Sequence, residues 1–76
     1  MMTLTELKPG DEGIVMGISG GRGMMRKLES LGIRIGVKIK KISSQLMGGP
    51  VIVQVGNTRV AIGYGMAHRI LIRPVG

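Results

Sequence analysis

The 76-residue chain has no cysteine, no tryptophan and no phenylalanine, and only one tyrosine and one histidine. Each absence removes a class of chemistry. Without cysteine there is no disulfide, no thiolate zinc site and no cysteine nucleophile. The same lack fits a reducing compartment. With Tyr64 as the single aromatic residue, the stacked aromatics that single-strand nucleic-acid binders use are missing. Only four residues are acidic: Glu6, Asp11, Glu12 and Glu29. Together with the lone His68 they do not make a nucleophile, a base and an orienting group. Asp11 and Glu12 are adjacent, so on a strand they point to opposite faces and form a poor carboxylate dyad. The inventory therefore predicts no catalytic residue, no cofactor and no metal site.

Long apolar runs are missing too. No stretch approaches the roughly 20 residues that a spanning helix needs. The first residues, Met1 to Glu6, have no basic segment followed by an apolar run, so no signal peptide is expected. The expectation is a soluble, cytoplasmic protein that does not span a membrane.

What is present is positive charge and glycine. Eleven Lys and Arg against four acids give a formal net charge of +7, which favours an anionic partner surface. The 14 glycines fall at breaks between apolar runs and show no period, so a collagen-like chain is excluded. Seven methionines read chiefly as adaptable core filler, with Met24 on a helix stripe.

The breaks divide the chain into short elements. Thr3 and Glu6 have capping-box spacing and start a single turn carrying Leu4 and Leu7. Lys8-Pro9-Gly10-Asp11 reads as a turn. Ile14 to Ile18 reads as a strand with Ile14, Met16 and Ile18 on one face. Arg22 to Leu31 is the one good helix, with Met24, Leu28 and Leu31 sharing a face. Gly32 follows it, where a left-handed residue closes a helix, and Ile33 is placed to pack back onto Leu28. Val37 to Ile42 is a second long strand, with a bulge expected where the alternation slips at Lys41-Ile42. Ser43 to Pro50 is a loop. Val51 to Val55 and Thr58 to Ile62 flank Gly56-Asn57, a two-residue hairpin signal. Gly63 to Ala67 is a tight connection, and Arg69 to Arg73 is the last strand, stopped by Pro74.

Five short strands and one helix argue for closure, because an open sheet leaves aggregation-prone edges. The predicted fold is all-β in the main: one small SH3-like barrel of about five strands spanning residues 1–76, with the helix inserted after the first strand. Its core should hold Val51, Val53, Val55, Val60, Ile62, Ile70 and Ile72, with Leu28 and Leu31 over one end.

Gly17 to Gly23 runs from a strand into a helix, a place where glycine-rich backbone can cradle phosphate. It lacks the Gly-Lys-Ser/Thr ending of a P-loop, and Arg26 stands where a dinucleotide fingerprint needs glycine. A flexible turn is the better reading. The helix offers Arg22, Arg26 and Lys27 but no Asn or Gln to read adenine. The most informative segment for binding is the loop, which sets Leu46 and Met47 among polar residues and glycines. Long connections in small domains often carry function. Leu46 and Met47 are the expected apolar anchors, with Arg22 and Arg26 as a basic rim.

Taken in order, several of these segments resemble the FeoA family of ferrous-iron transport proteins. They are Leu4-Thr5-Glu6-Leu7-Lys8-Pro9-Gly10, Ile18-Ser19-Gly20 and Arg26-Lys27-Leu28-Glu29-Ser30-Leu31-Gly32-Ile33-Arg34-Ile35-Gly36. Further along come Gly49-Pro50, Val60-Ala61-Ile62 and Ala67-His68-Arg69-Ile70. The resemblance covers nearly the whole chain. It implies an SH3-like barrel that works by protein–protein contact with a membrane ferrous-iron permease, through that permease's cytosolic GTP-binding domain. It leaves self-association open. The alternative from another class is a small basic nucleic-acid-binding protein. Gly63-Tyr64-Gly65 departs from the polar or basic turn frequent in the family.

Overall fold

The computed structural model describes residues 1–44 and 48–75. Its strands are β1 Met2–Thr3, β2 Glu12–Ile18, β3 Lys38–Ser44, β4 Val51–Val55, β5 Thr58–Ile62 and β6 Ile70–Val75. They form one antiparallel sheet in the order β1-β6-β2-β3-β4-β5. Helix α1, Gly21–Ser30, leaves the end of β2, and a four-residue helix α2, Tyr64–Ala67, joins β5 to β6. The mainly-β architecture with one long inserted helix is the predicted one. The two-residue β1 and the short α2 are additions to it.

The sheet rolls around a single core. Inward side chains from five strands meet there: Val15, Ile39, Val51, Val53, Ile62, Ile70 and Ile72. Leu4, Leu7, Leu28, Ile33 and Ala67 close it from the helices and turns. Burial of each such aliphatic side chain is worth about 1.5–3 kcal/mol. The overall extents of 28 × 27 × 25 Å are nearly equal, as a curled sheet requires and a flat one does not allow. Two bulges supply the bend. One lies between Val15 and Gly17 in β2, the other between Lys41 and Ser43 in β3, at the predicted slip. The β4–β5 hairpin turns at Gly56-Asn57 in the expected register, Val55 opposite Thr58.

The predicted core holds. Val51, Val53, Ile62, Ile70 and Ile72 are fully buried, and Val55 and Val60 pack against them half-buried. Leu31 is different: it caps α1 and is 36% exposed, so Leu28 alone of the pair covers the core. The face of β2 also differs from expectation. Gly13 and Val15 point inward, Ile14 is half-buried on the other side, and Met16 is exposed. The bulge at Met16 then resets the phase and returns Ile18 to the core side. Gly13 is required by close approach: a Cβ there would overlap Cγ2 of Ile72. Pro74 does not stop the last strand. It lies within β6 opposite Gly13, beyond the two residues that β1 pairs, where a missing N–H on that outer side is tolerated.

Candidate partner-binding face

Helix α1 sets the geometry of this face. Its Met24 and Leu28 lie four residues apart and pack on the core. The end of the helix is fixed by a paired cap. The Ile33 N–H donates to the Leu28 carbonyl (2.9 Å) and the Gly32 N–H to the Glu29 carbonyl (2.9 Å). Gly32 has φ +88°, the left-handed conformation that glycine adopts without steric cost. Ile33 and Leu28, both fully buried, form the apolar contact of this motif.

The next turn is pinned as tightly. The Val37 N–H donates to the Arg34 carbonyl (3.1 Å), and the Gly36 N–H donates to the Val15 carbonyl of β2 (2.8 Å). Ile35 therefore stands at the tip of a fixed turn, 60% exposed.

Arg22, Met25, Arg26 and Glu29 are spaced three or four apart, so they share one face of α1 beside the core stripe. Both arginines are exposed. Between this face and the Arg34–Ile35 turn is an open cleft of about 240 Å³, lined by Ile18, Met25, Glu29, Arg34 and Ile35. Among the described residues the one ion pair is Lys38 Nζ to Glu12 Oε2 at 3.9 Å, on solvent-exposed side chains. The arginines around the cleft are outside it. The predicted rim residues Arg22 and Arg26 thus come together on one helix face. The predicted anchors Leu46 and Met47 lie outside the described residues.

A residue that sequence reasoning passed over is Lys41. Among the described residues it is the buried charged one, 1% exposed. Its Nζ donates to the carbonyls of Leu4 (3.1 Å) and Thr5 (3.0 Å). Burial pushes its pKa below the ordinary lysine value. The available signal was the alternation itself: Lys41 stands two residues after the inward Ile39 and so shares its face.

His68 is exposed at the far end of α2. Its ring stacks on Tyr64 at a centroid distance of 6.3 Å, and Nδ1 lies 3.5 Å from Thr5 Oγ1. Among the described residues no group of three or more His, Asp or Glu side chains converges. Glu6 is committed to the first turn, where Oε1 accepts from the Thr3 N–H at 2.9 Å. That bond, and then the Thr3 hydroxyl, hold its carboxyl below the usual pKa.

The fold and this face together define a small SH3-like domain with a basic helix and a shallow apolar cleft. The FeoA domain model matches residues 2–74, and the chain belongs to the FeoA family. A Methanocaldococcus jannaschii protein whose assigned name is Fe(2+) transport protein A is 43% identical over 72 residues, covering 95% of this chain and 85% of its own. The crystal structure of an iron uptake regulatory protein, FeoA, is 42% identical with a TM-score of 0.89, over 97% of this chain and 96% of that one. The zinc complex of Stenotrophomonas maltophilia FeoA, described as a procaryotic SH3 domain protein, is 28% identical with a TM-score of 0.79, over 96% and 91% of the two chains.

Proposed function

We propose that this chain is a non-enzymatic, cytoplasmic accessory protein of ferrous-iron uptake. It acts by contact with the cytosolic GTP-binding domain of a membrane ferrous-iron permease. Residues 1–76 act as a single FeoA-like domain, with no cofactor. The observation that carries the reading is family membership across residues 2–74, alongside relatives named for Fe(2+) transport and iron uptake regulation. The exposed Arg22 and Arg26 support it, because a basic rim steers an acidic partner. Leu46 and Met47 are the proposed apolar anchors.

The test is calorimetric titration of the purified chain into the permease's cytosolic domain, with and without GTP. Saturable one-to-one binding supports the reading, and its absence at concentrations up to 100 μM (about −5.5 kcal/mol) removes it. Steeply salt-dependent binding to random-sequence DNA or RNA instead would favour the nucleic-acid alternative.

A further inference from the structure

We infer that the cleft between α1 and the Arg34–Ile35 turn is a docking pocket for one apolar side chain of an acidic polypeptide segment. The inference deepens the proposed protein–protein role and rests on it for biological context, not for its test.

Three observations carry it. The first is shape. The cleft is about 240 Å³, and an enclosed apolar cavity of about 150 Å³ already takes a benzene ring. One Leu-, Met- or Phe-sized group therefore fits with its backbone outside.

The second is apolar surface without a structural use. Ile35 is 60% exposed at the tip of a turn, where a polar residue would serve the fold as well. The turn is held by its own backbone bonds, Val37 N–H to Arg34 and Gly36 N–H to Val15. Met25 is half-buried across from it, and Ile18 is the floor. The backbone of the turn wall is thus fixed before any ligand arrives, which limits the ordering needed on binding.

The third is charge. Arg34 lines the cleft, and Arg22 and Arg26 are exposed on the helix face that carries Met25, outside its lining. Glu29 is the acid at this rim. The two charges that line the cleft balance, and the exposed Arg22 and Arg26 beside it on α1 leave this face net positive, which favours carboxylates flanking the inserted side chain. Guanidinium also takes carboxylate in bidentate fashion.

The probe is a pentapeptide, acetyl-Glu-Asp-Leu-Asp-Glu-amide, titrated into the nitrogen-15-labelled chain at low salt. The expected result is saturable movement of the amide resonances of Ile18, Met25, Glu29, Arg34 and Ile35. A peptide with serine for leucine, and one with lysines for the acids, should each bind at least fivefold more weakly. Ile35→Ser, at a mostly exposed position outside the core, should lower affinity by a similar factor while leaving the remaining spectrum in place. Arg34→Glu should do the same. The inference is overturned if the resonances of the cleft do not move. It is also overturned if the serine peptide binds equally, or if Ile35→Ser has no effect. Movement of these resonances by anionic phosphatidylglycerol vesicles and not by the peptide would assign the face to a membrane and overturn it too. The calorimetric test of the permease domain is separate, so either result can fail alone.

Discussion

The ammonium of Lys41 donates a hydrogen bond to the backbone carbonyl of Leu4 across 3.1 Å, joining residues 37 apart in the sequence. The same nitrogen holds the Thr5 carbonyl. These carbonyls belong to the short 3-10 turn Leu4–Glu6, whose one closing bond, Leu7 N–H to the Leu4 carbonyl at 3.3 Å, reaches only the first of them. Lys41 thereby fastens the N-terminal segment, with its buried Leu4 and Leu7, to β3. Replacing it with methionine keeps the aliphatic stem, takes the Lys41 donor from the Thr5 carbonyl and leaves the Leu4 carbonyl with only the Leu7 N–H at 3.3 Å. The expected cost is about 1–3 kcal/mol, read as a lower urea midpoint at unchanged slope.

Lys41 also predicts a pH dependence. Burial lowers its folded pKa below the ordinary lysine value of 10.5. Between the folded and unfolded pKa values the unfolded chain binds more protons, so stability rises with pH there. Below that window the ammonium is charged in both states and the desolvation penalty is constant. Urea unfolding of the parent and of Lys41→Met, compared point by point, isolates this contribution because other groups cancel. The difference in favour of the parent should widen as pH is raised toward 10.5. A flat difference would mean that burial does not perturb Lys41.

Two glycines should respond to alanine with opposite signs. Gly32 sits at φ +88°, so Gly32→Ala forces a left-handed alanine and should destabilise by about 1 kcal/mol or more. Space is not the cause, since the added Cβ would lie 3.6 Å from Val55 Cγ1, an ordinary contact. Gly23 is inside α1 with nothing within 4 Å of an added Cβ. There Gly23→Ala should stabilise by about 0.5–1 kcal/mol. Thermal midpoints moving in opposite directions check both.

Gly13→Ala should be the most damaging of the alanine changes, because the new methyl collides with Ile72 in the core. Overpacking of this kind costs about 1–3 kcal/mol. Removing the colliding Cγ2 as well, as Gly13→Ala with Ile72→Ala, relieves the overlap, so the double variant should lose less stability than the two single losses added, and a double-mutant cycle measures the difference.

These residues also show what the sequence made legible. Gly56-Asn57, Gly32 and the alternating valines of β4 each encode their structure within a few neighbours, so hairpin, helix end and core were readable. Gly13 was not, because a core-facing position without a side chain breaks the apolar alternation and hands the pattern to Ile14 and Met16. Lys41 was illegible for another reason: its partners lie 36 and 37 residues away, and only the rolled sheet brings them together. The rim at Arg22 and Arg26 follows from helix periodicity alone. The cleft beside it needed the Arg34–Val37 turn, whose place is fixed by a bond to Val15.

Two halves of the proposed partner surface can be separated by mutation. Arg22→Glu with Arg26→Glu reverses charge on exposed positions of α1 and should leave the fold intact. If the rim steers an acidic partner, the change slows association with the permease's cytosolic domain and flattens its salt dependence, with a smaller effect on dissociation. Leu46→Ser with Met47→Ser should act in the other way. Truncating central apolar anchors typically costs about 2 kcal/mol or more, roughly a thirtyfold loss of affinity, expressed mainly as faster dissociation. Surface plasmon resonance at several salt concentrations distinguishes the two patterns, with circular dichroism confirming that each variant is folded. Parent-like kinetics for the Leu46 and Met47 variant would remove those residues from the interface and leave the α1 face to carry it. Parent-like kinetics for the arginine variant would show that the basic helix face does not meet this partner.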